Sequence, residues 1–228
     1  MNNATDRVAL RLAAVLLLAG QILYVVITLF HADGNANDHA AVFAEYAASV
    51  SWTIVHIAQF GAMAILLAGL LALYYAIDRR DSVVKWAGRF GAASAIAAFA
   101  LYGALQAVDG IANKQADLAW TSASAADKAA RFASAEAVRW IEWGLRSYQD
   151  FTLGLALLMF ALAIVRSASV PRAIGYLIGL TGLIYLAQGW IVGVEGFSQT
   201  MSIAIVLSEI IGLIWMIWLS LIAWRLET

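Results

Sequence analysis

Glu142, Arg146, Gln149 and Asp150 stand at i, i+4, i+7 and i+8, so a helix through them carries all four on one face. The apolar run that follows, Phe151 to Val165, is too short to cross a bilayer alone, since a crossing takes roughly 20 residues. A spanning helix must therefore take this polar stripe into the membrane, where ionisable groups face a bundle interior or water. His56, Gln59, Asp109, Gln188 and Glu209 are further polar residues within or beside apolar stretches. His56, Asp109 and Glu142 are the candidate catalytic set. A histidine with two carboxylates can hold a metal ion or exchange protons, as a membrane-embedded hydrolase or isomerase needs. Each also has a structural reading. Glu142 and Arg146 form a favourable i,i+4 ion pair, Arg146 could instead pair with Asp150 or Glu209, and the glutamines are suited to interhelical hydrogen bonds.

A second concentration of donors is the loop His31-Ala32-Asp33-Gly34-Asn35-Ala36-Asn37-Asp38-His39. His31, Asp33, Asp38 and His39 are candidate ligands for a divalent metal. Asp33, Asn35 and Asn37 imitate the start of a calcium loop, but the sixth and twelfth positions are Asp38 and Ala44, where glycine and glutamate are wanted. The loop reads more simply as a turn at Asp33-Gly34 followed by a helix N-cap at Asn37 or Asp38.

The elements that must position these residues follow from composition. The chain has 228 residues, 63% hydrophobic and 13% charged, and its mean hydropathy is +0.81. Soluble domains are nearer 45–50% apolar and about 25% charged, so this is an all-α polytopic membrane bundle, residues 1–228 forming one helical domain. Six stretches are long and apolar enough to span: roughly Val8–Phe30, Trp52–Ile77, Trp86–Ala107, Leu145–Val165, Ile174–Val194 and Met201–Trp224. The apolar run of the N-terminal segment continues to Phe30 with no small-residue cleavage site, so it reads as a retained first span. A short surface helix is expected between His31 and Ser51, and a charged, alanine-rich helix after Ser122-Ala123-Ser124.

Nine basic residues, from Arg7 and Arg11 to Arg172 and Arg225, fall on one side of this arrangement with four acids. By the excess of Lys and Arg on cytoplasmic loops, that side and both termini are expected inside a bacterial cell membrane. Polar residues of the spans then gather in the outer half: His56, Gln59, Asp109, Glu142, Arg146, Gln149, Asp150, Gln188 and Glu209. The pattern predicts an outward-facing acidic cavity ending near mid-membrane, which binds a small molecule, a lipid-like ligand or a cation.

The absence of cysteine excludes disulfides and thiolate sites. No phosphate-binding glycine loop, HExxH or GxSxG is present. No span carries a lysine for a retinal Schiff base, and all three histidines lie on the outer side, against a haem crossing the bundle. A divalent metal remains a possible cofactor. The partners expected are the lipid bilayer and a small-molecule or lipid ligand. A second copy or a membrane partner subunit is a third reading, in which the polar stripe pairs with a partner's helix, and nucleic acid is not expected. The segment Ser169-Val170-Pro171-Arg172-Ala173-Ile174-Gly175-Tyr176-Leu177-Ile178-Gly179, with GLALLMFALAIVRSA before it, resembles a pattern in uncharacterised bacterial six-helix inner-membrane families of unknown function. The resemblance implies a cytoplasmic-membrane location and carries over no active site.

Overall fold

A computed structural model describes residues 4–32, 35–77, 80–167 and 170–225. All the regular structure it contains is helical. Helix α1 runs Ala4–Thr28, α2 His39–Ala48, α3 Trp52–Ala76 and α4 Ser82–Ala107. A π-helical turn, Val108–Asn113, joins α4 to α5, Lys114–Thr121. Helix α6 runs Lys128–Arg166, α7 Arg172–Glu195 and α8 Gln199–Arg225. Six of these segments are long and apolar enough to cross a membrane, α4, the π turn and α5 counting as one.

The six form a closed ring in which α1 packs on α3, α3 on α4, α4 on α6, α6 on α7, α7 on α8 and α8 on α1. The ring is sealed by apolar side chains, with Leu17, Leu70, Phe160, Ile178 and Leu219 fully buried. Where α6 meets α7 the backbones touch: a Cβ on Gly154 would stand 2.8 Å from the Gly182 carbonyl oxygen. Small residues permit this close approach between membrane helices. At the end carrying the chain termini, Arg11 Nε donates to the Ala223 carbonyl at 3.2 Å.

The sequence places spans at Trp86–Ala107 and Leu145–Val165 and a charged, alanine-rich helix after Ser122-Ala123-Ser124 that could run straight into the fourth span; in the structure that helix and the span are one, α6, and the third span continues through the π turn into α5. Helix α6 has 39 residues, about 58 Å at 1.5 Å per residue, nearly twice a bilayer's apolar thickness of roughly 30 Å. Together with the π turn and α5 it projects beyond the end of the ring opposite the termini, here the far end. The surface helix expected after His31 is α2, and the Asp38 carboxylate caps it by accepting from Ala41 N at 3.2 Å. It packs on α5 around a second apolar cluster of Val42, Phe43, Tyr46, Trp52 and Ala135. This cap roofs the far end and holds the polar groups beneath it in place.

Candidate metal centre

The π turn sets up the site. A π turn inserts one residue into the helical ladder and frees carbonyls from it. Trp52 Nε1 donates to the Asp109 carbonyl at 2.9 Å, and Thr53 Oγ1 donates to the Gly110 carbonyl at 3.2 Å. The start of α3 thereby grips the turn and brings Asp109 against His56, with His56 Nε2 lying 3.0 Å from Asp109 Oδ2. Glycine is required at position 110, because a Cβ there would come within 2.7 Å of the His56 Cβ.

His31, just past α1, completes the group. One ligand atom from each of His31, His56 and Asp109 lies within 4.8 Å of the others. Both histidines are oriented alike: His56 Nδ1 donates to the Trp52 carbonyl at 2.7 Å and His31 Nδ1 to the Ala32 carbonyl at 2.7 Å. The remaining nitrogen, Nε2, then carries the lone pair in each neutral ring. For His56, which is 2% exposed, that nitrogen has no well-formed hydrogen bond among the described residues, although the carboxylate is close by. Nitrogen and carboxylate are close enough to share a proton or to ligate one metal ion. Burial pushes the His31 imidazole below its usual pKa, against the pull of Asp109, so the ring is neutral and able to ligate near pH 7. Tyr46 and Trp52 wall the group, Trp52 standing 4.3 Å from His56 and 4.7 Å from His31 between ring centres.

A supporting shell surrounds the three. Asn113, one turn beyond Asp109, donates through Nδ2 to Asp109 Oδ1 at 3.3 Å and to Glu142 Oε2 at 2.6 Å. Arg139 Nη1 reaches the same Glu142 oxygen at 2.6 Å, and its Nη2 donates to the Ala36 carbonyl at 3.2 Å. Glu142 therefore pairs with Arg139 at i,i+3 rather than with Arg146. Asp117, a further turn along, is fully buried, and neither carboxylate oxygen has a partner among the described residues.

Of the residues expected from sequence to share one cavity, His56, Asp109 and Glu142 meet in this cluster. Gln59 lies one turn below His56 and donates to Thr28 Oγ1 at 3.1 Å. The rest belong to a deeper layer of the ring. Arg146 Nε bonds Asp150 Oδ2 at 3.0 Å, Gln188 Nε2 bonds Ser208 Oγ at 2.8 Å, and Gln21 Nε2 donates to Glu209 Oε2. Gln149 is buried, with neither amide atom partnered among the described residues. Of the loop candidates only His31 joins the centre. Asp38 caps α2, His39 Nδ1 pairs with Glu136 Oε1 at 3.0 Å, and Asp33 lies outside the described residues. Sequence reasoning missed Trp52 as a clamp and the residues Asn113, Asp117 and Arg139. Asp109, Asn113 and Asp117 repeat every four residues, and that helical spacing was the signal available.

Fold and site together define a multi-pass membrane protein of six spanning helices with a histidine–carboxylate cluster at one end. The chain belongs to the family of the domain of unknown function DUF4386, whose model matches residues 12–220. No curated protein and no solved structure matches it.

Proposed function

We propose that this protein binds one divalent first-row transition-metal ion through His31, His56 and Asp109, in a chamber that faces the outside of the cell. The observation that carries the reading is the cluster itself: His56 Nε2 lies 3.0 Å from Asp109 Oδ2, His31 brings a ligand atom within 4.8 Å of both, and His56 Nδ1–H is anchored to a backbone carbonyl. Metal-ligating histidines are typically held this way, the second ring nitrogen fixing tautomer and orientation. Two imidazoles and one carboxylate suit Zn²⁺, Fe²⁺, Co²⁺ or Mn²⁺ better than Ca²⁺ or Mg²⁺. The 3.0 Å between His56 and Asp109 is near the roughly 3.4 Å separating two donors on a tetrahedral ion with bonds of about 2.1 Å.

The cation is one of the ligand classes the outward acidic chamber was expected to take, and the bias of basic residues to the opposite end supports the outward orientation. A three-ligand centre leaves coordination positions free for water or a substrate oxygen. An enzymatic reading, metal-assisted hydrolysis, therefore stands second. It is favoured by Asn113, which ties the Glu142 carboxylate to Asp109.

The test uses tag-free protein in detergent, stripped of metal and titrated with Zn²⁺ and with Co²⁺, whose visible spectrum reports imidazole ligation. One equivalent per chain is expected, lost in His56→Ala and Asp109→Asn and retained in His39→Ala. Binding well below one equivalent, or unchanged binding in a His31→Ala/His56→Ala double variant, would overturn the proposal.

A further inference from the structure

Asp117 and Arg139 stand at one level of the far-end cap. From the π turn, α5 leads away from the ring while α6 returns toward it, so the two packed helices run antiparallel. Asn113 is level with Glu142, the two joined at 2.6 Å. One turn further along α5 and one turn back along α6 bring Asp117 level with Arg139. Both residues are buried and both keep an idle group: neither Asp117 carboxylate oxygen nor the Arg139 Nε has a hydrogen-bond partner among the described residues. Of the charges acting on Asp117, that of Arg139 is the strongest. Lys114, the other cation acting on it, is committed to the Tyr46, Ala47 and Ser49 carbonyls at the end of α2, at 2.7, 2.8 and 2.7 Å. A buried carboxylate without a partner is costly, and a guanidinium with a donor to spare is what would offset it.

Arg139 is also able to turn. Its guanidinium lies over the Tyr46 and Phe197 rings, 5.4 and 4.7 Å from their centres. Aromatic faces hold a cation without fixing the direction of its hydrogen bonds. Charge decides where it points. In the structure Arg139 neutralises Glu142, and Asp117 is left over. A divalent ion matched by Asp109 alone would leave one positive charge uncompensated in a buried site. Glu142, linked to Asp109 through Asn113, can supply the second carboxylate. With the ion matched by Asp109 and Glu142, and Arg139 matched by Asp117, each charge in the group has its counterpart. From the shared level, the two idle buried groups and this balance, we infer that Arg139 has two docking positions, Glu142 and Asp117, and that its move to Asp117 releases Glu142 to the metal ion as a further ligand. The release of Glu142 rests on the metal proposal, and the two positions of Arg139 do not.

The first test needs no metal. Melting temperatures are measured in EDTA, on the intact protein in detergent, for wild type, Glu142→Gln, Asp117→Asn and the double variant. Each single variant leaves Arg139 one carboxylate and should melt within a few degrees of wild type. The double variant leaves a buried guanidinium with none, and its loss should far exceed the sum of the two. Additive losses would overturn the inference. If the double variant does not fold, Arg139→Met is added to it. Folding should then recover, and failure to recover would overturn the inference. The second test is Zn²⁺ titration. Glu142→Gln should bind one equivalent roughly tenfold or more weakly than wild type. Asp117→Asn, which confines Arg139 to Glu142, should lose affinity to a similar degree, and Asp117→Glu should recover most of it. Wild-type affinity in Asp117→Asn would overturn the inference and leave the metal centre standing. No binding by wild type would sink the metal centre and the release of Glu142 with it, and the melting temperatures would still decide the two positions.

Discussion

His56 and Asp109, 53 positions apart in the chain, face each other at 3.0 Å beneath the far-end cap. The contact depends on a helix start and a π turn docking through Trp52 and Thr53. It accounts for the local sequence: an aromatic donor at 52, a hydroxyl at 53, a glycine at 110 and an amide at 113.

If this pair is half of a metal site, metal should stabilise the fold. A ligand at a hundred times its dissociation constant adds about 2.7 kcal/mol to a state that alone binds it. Zn²⁺ should raise the melting temperature of stripped protein, and EDTA should reverse the rise. The same titration on Asp109→Asn should show no shift. A shift that persists there would place the ion elsewhere.

Asn113 is a positioning residue, holding Asp109 Oδ1 while Oδ2 faces His56. Loss of such an outer hydrogen bond typically costs 10–100-fold in metal affinity. Asn113→Ala should weaken Co²⁺ binding by that factor without abolishing it, and Asn113→Asp, which has no N–H to donate to Asp109, should not restore the positioning. Isothermal titration compares the three proteins. A purely structural role would lower stability and leave the affinity unchanged.

Gly110→Ala forces the π turn away from His56, since the new methyl would lie 2.7 Å from the His56 Cβ. Overpacking of this kind costs about 1–3 kcal/mol. A lowered melting temperature together with lost metal binding is expected. Gly61→Ala, where the Cβ meets nothing within 4 Å, should alter neither.

In the deeper layer, Asp150 is fully buried and bonded by Arg146. Removing one partner of a buried pair costs about 3–5 kcal/mol, whereas replacing both by apolar residues can be neutral. Arg146→Met should destabilise the protein markedly in detergent, and Arg146→Met/Asp150→Leu should restore much of the loss. Equal melting temperatures for wild type and Arg146→Met would show that the guanidinium reaches solvent instead.

The orientation proposed for the chamber is tested by single cysteines in this cysteine-free chain. Asn35→Cys and Ser122→Cys should react with an impermeant maleimide applied outside intact cells, and Asp81→Cys only after lysis. The reverse pattern would turn the chamber toward the cytoplasm.

Composition and apolar run length determined the class and the number of spans, because a bilayer accepts only segments that satisfy their own backbone and are long enough to cross. Helical spacing placed Arg146 beside Asp150, and local capping chemistry marked Asp38 as the start of α2. Helix ends were less legible. The runs 82–121 and 128–166 continue as helix beyond their apolar stretches, tied to the cap through a few buried groups, Asn113, Asp117, Ala135 and Arg139, and apolar run length carries no information about that. The histidine–carboxylate cluster was legible only in part. His56 and Asp109 were visible as buried polar residues, but His31 read as part of a loop motif, and Glu142 read as a partner of Arg146. What brought His31, His56 and Asp109 together was the docking of α3 on a π turn. That contact depends on backbone carbonyls released by one inserted residue, and released carbonyls have no signature in side-chain sequence.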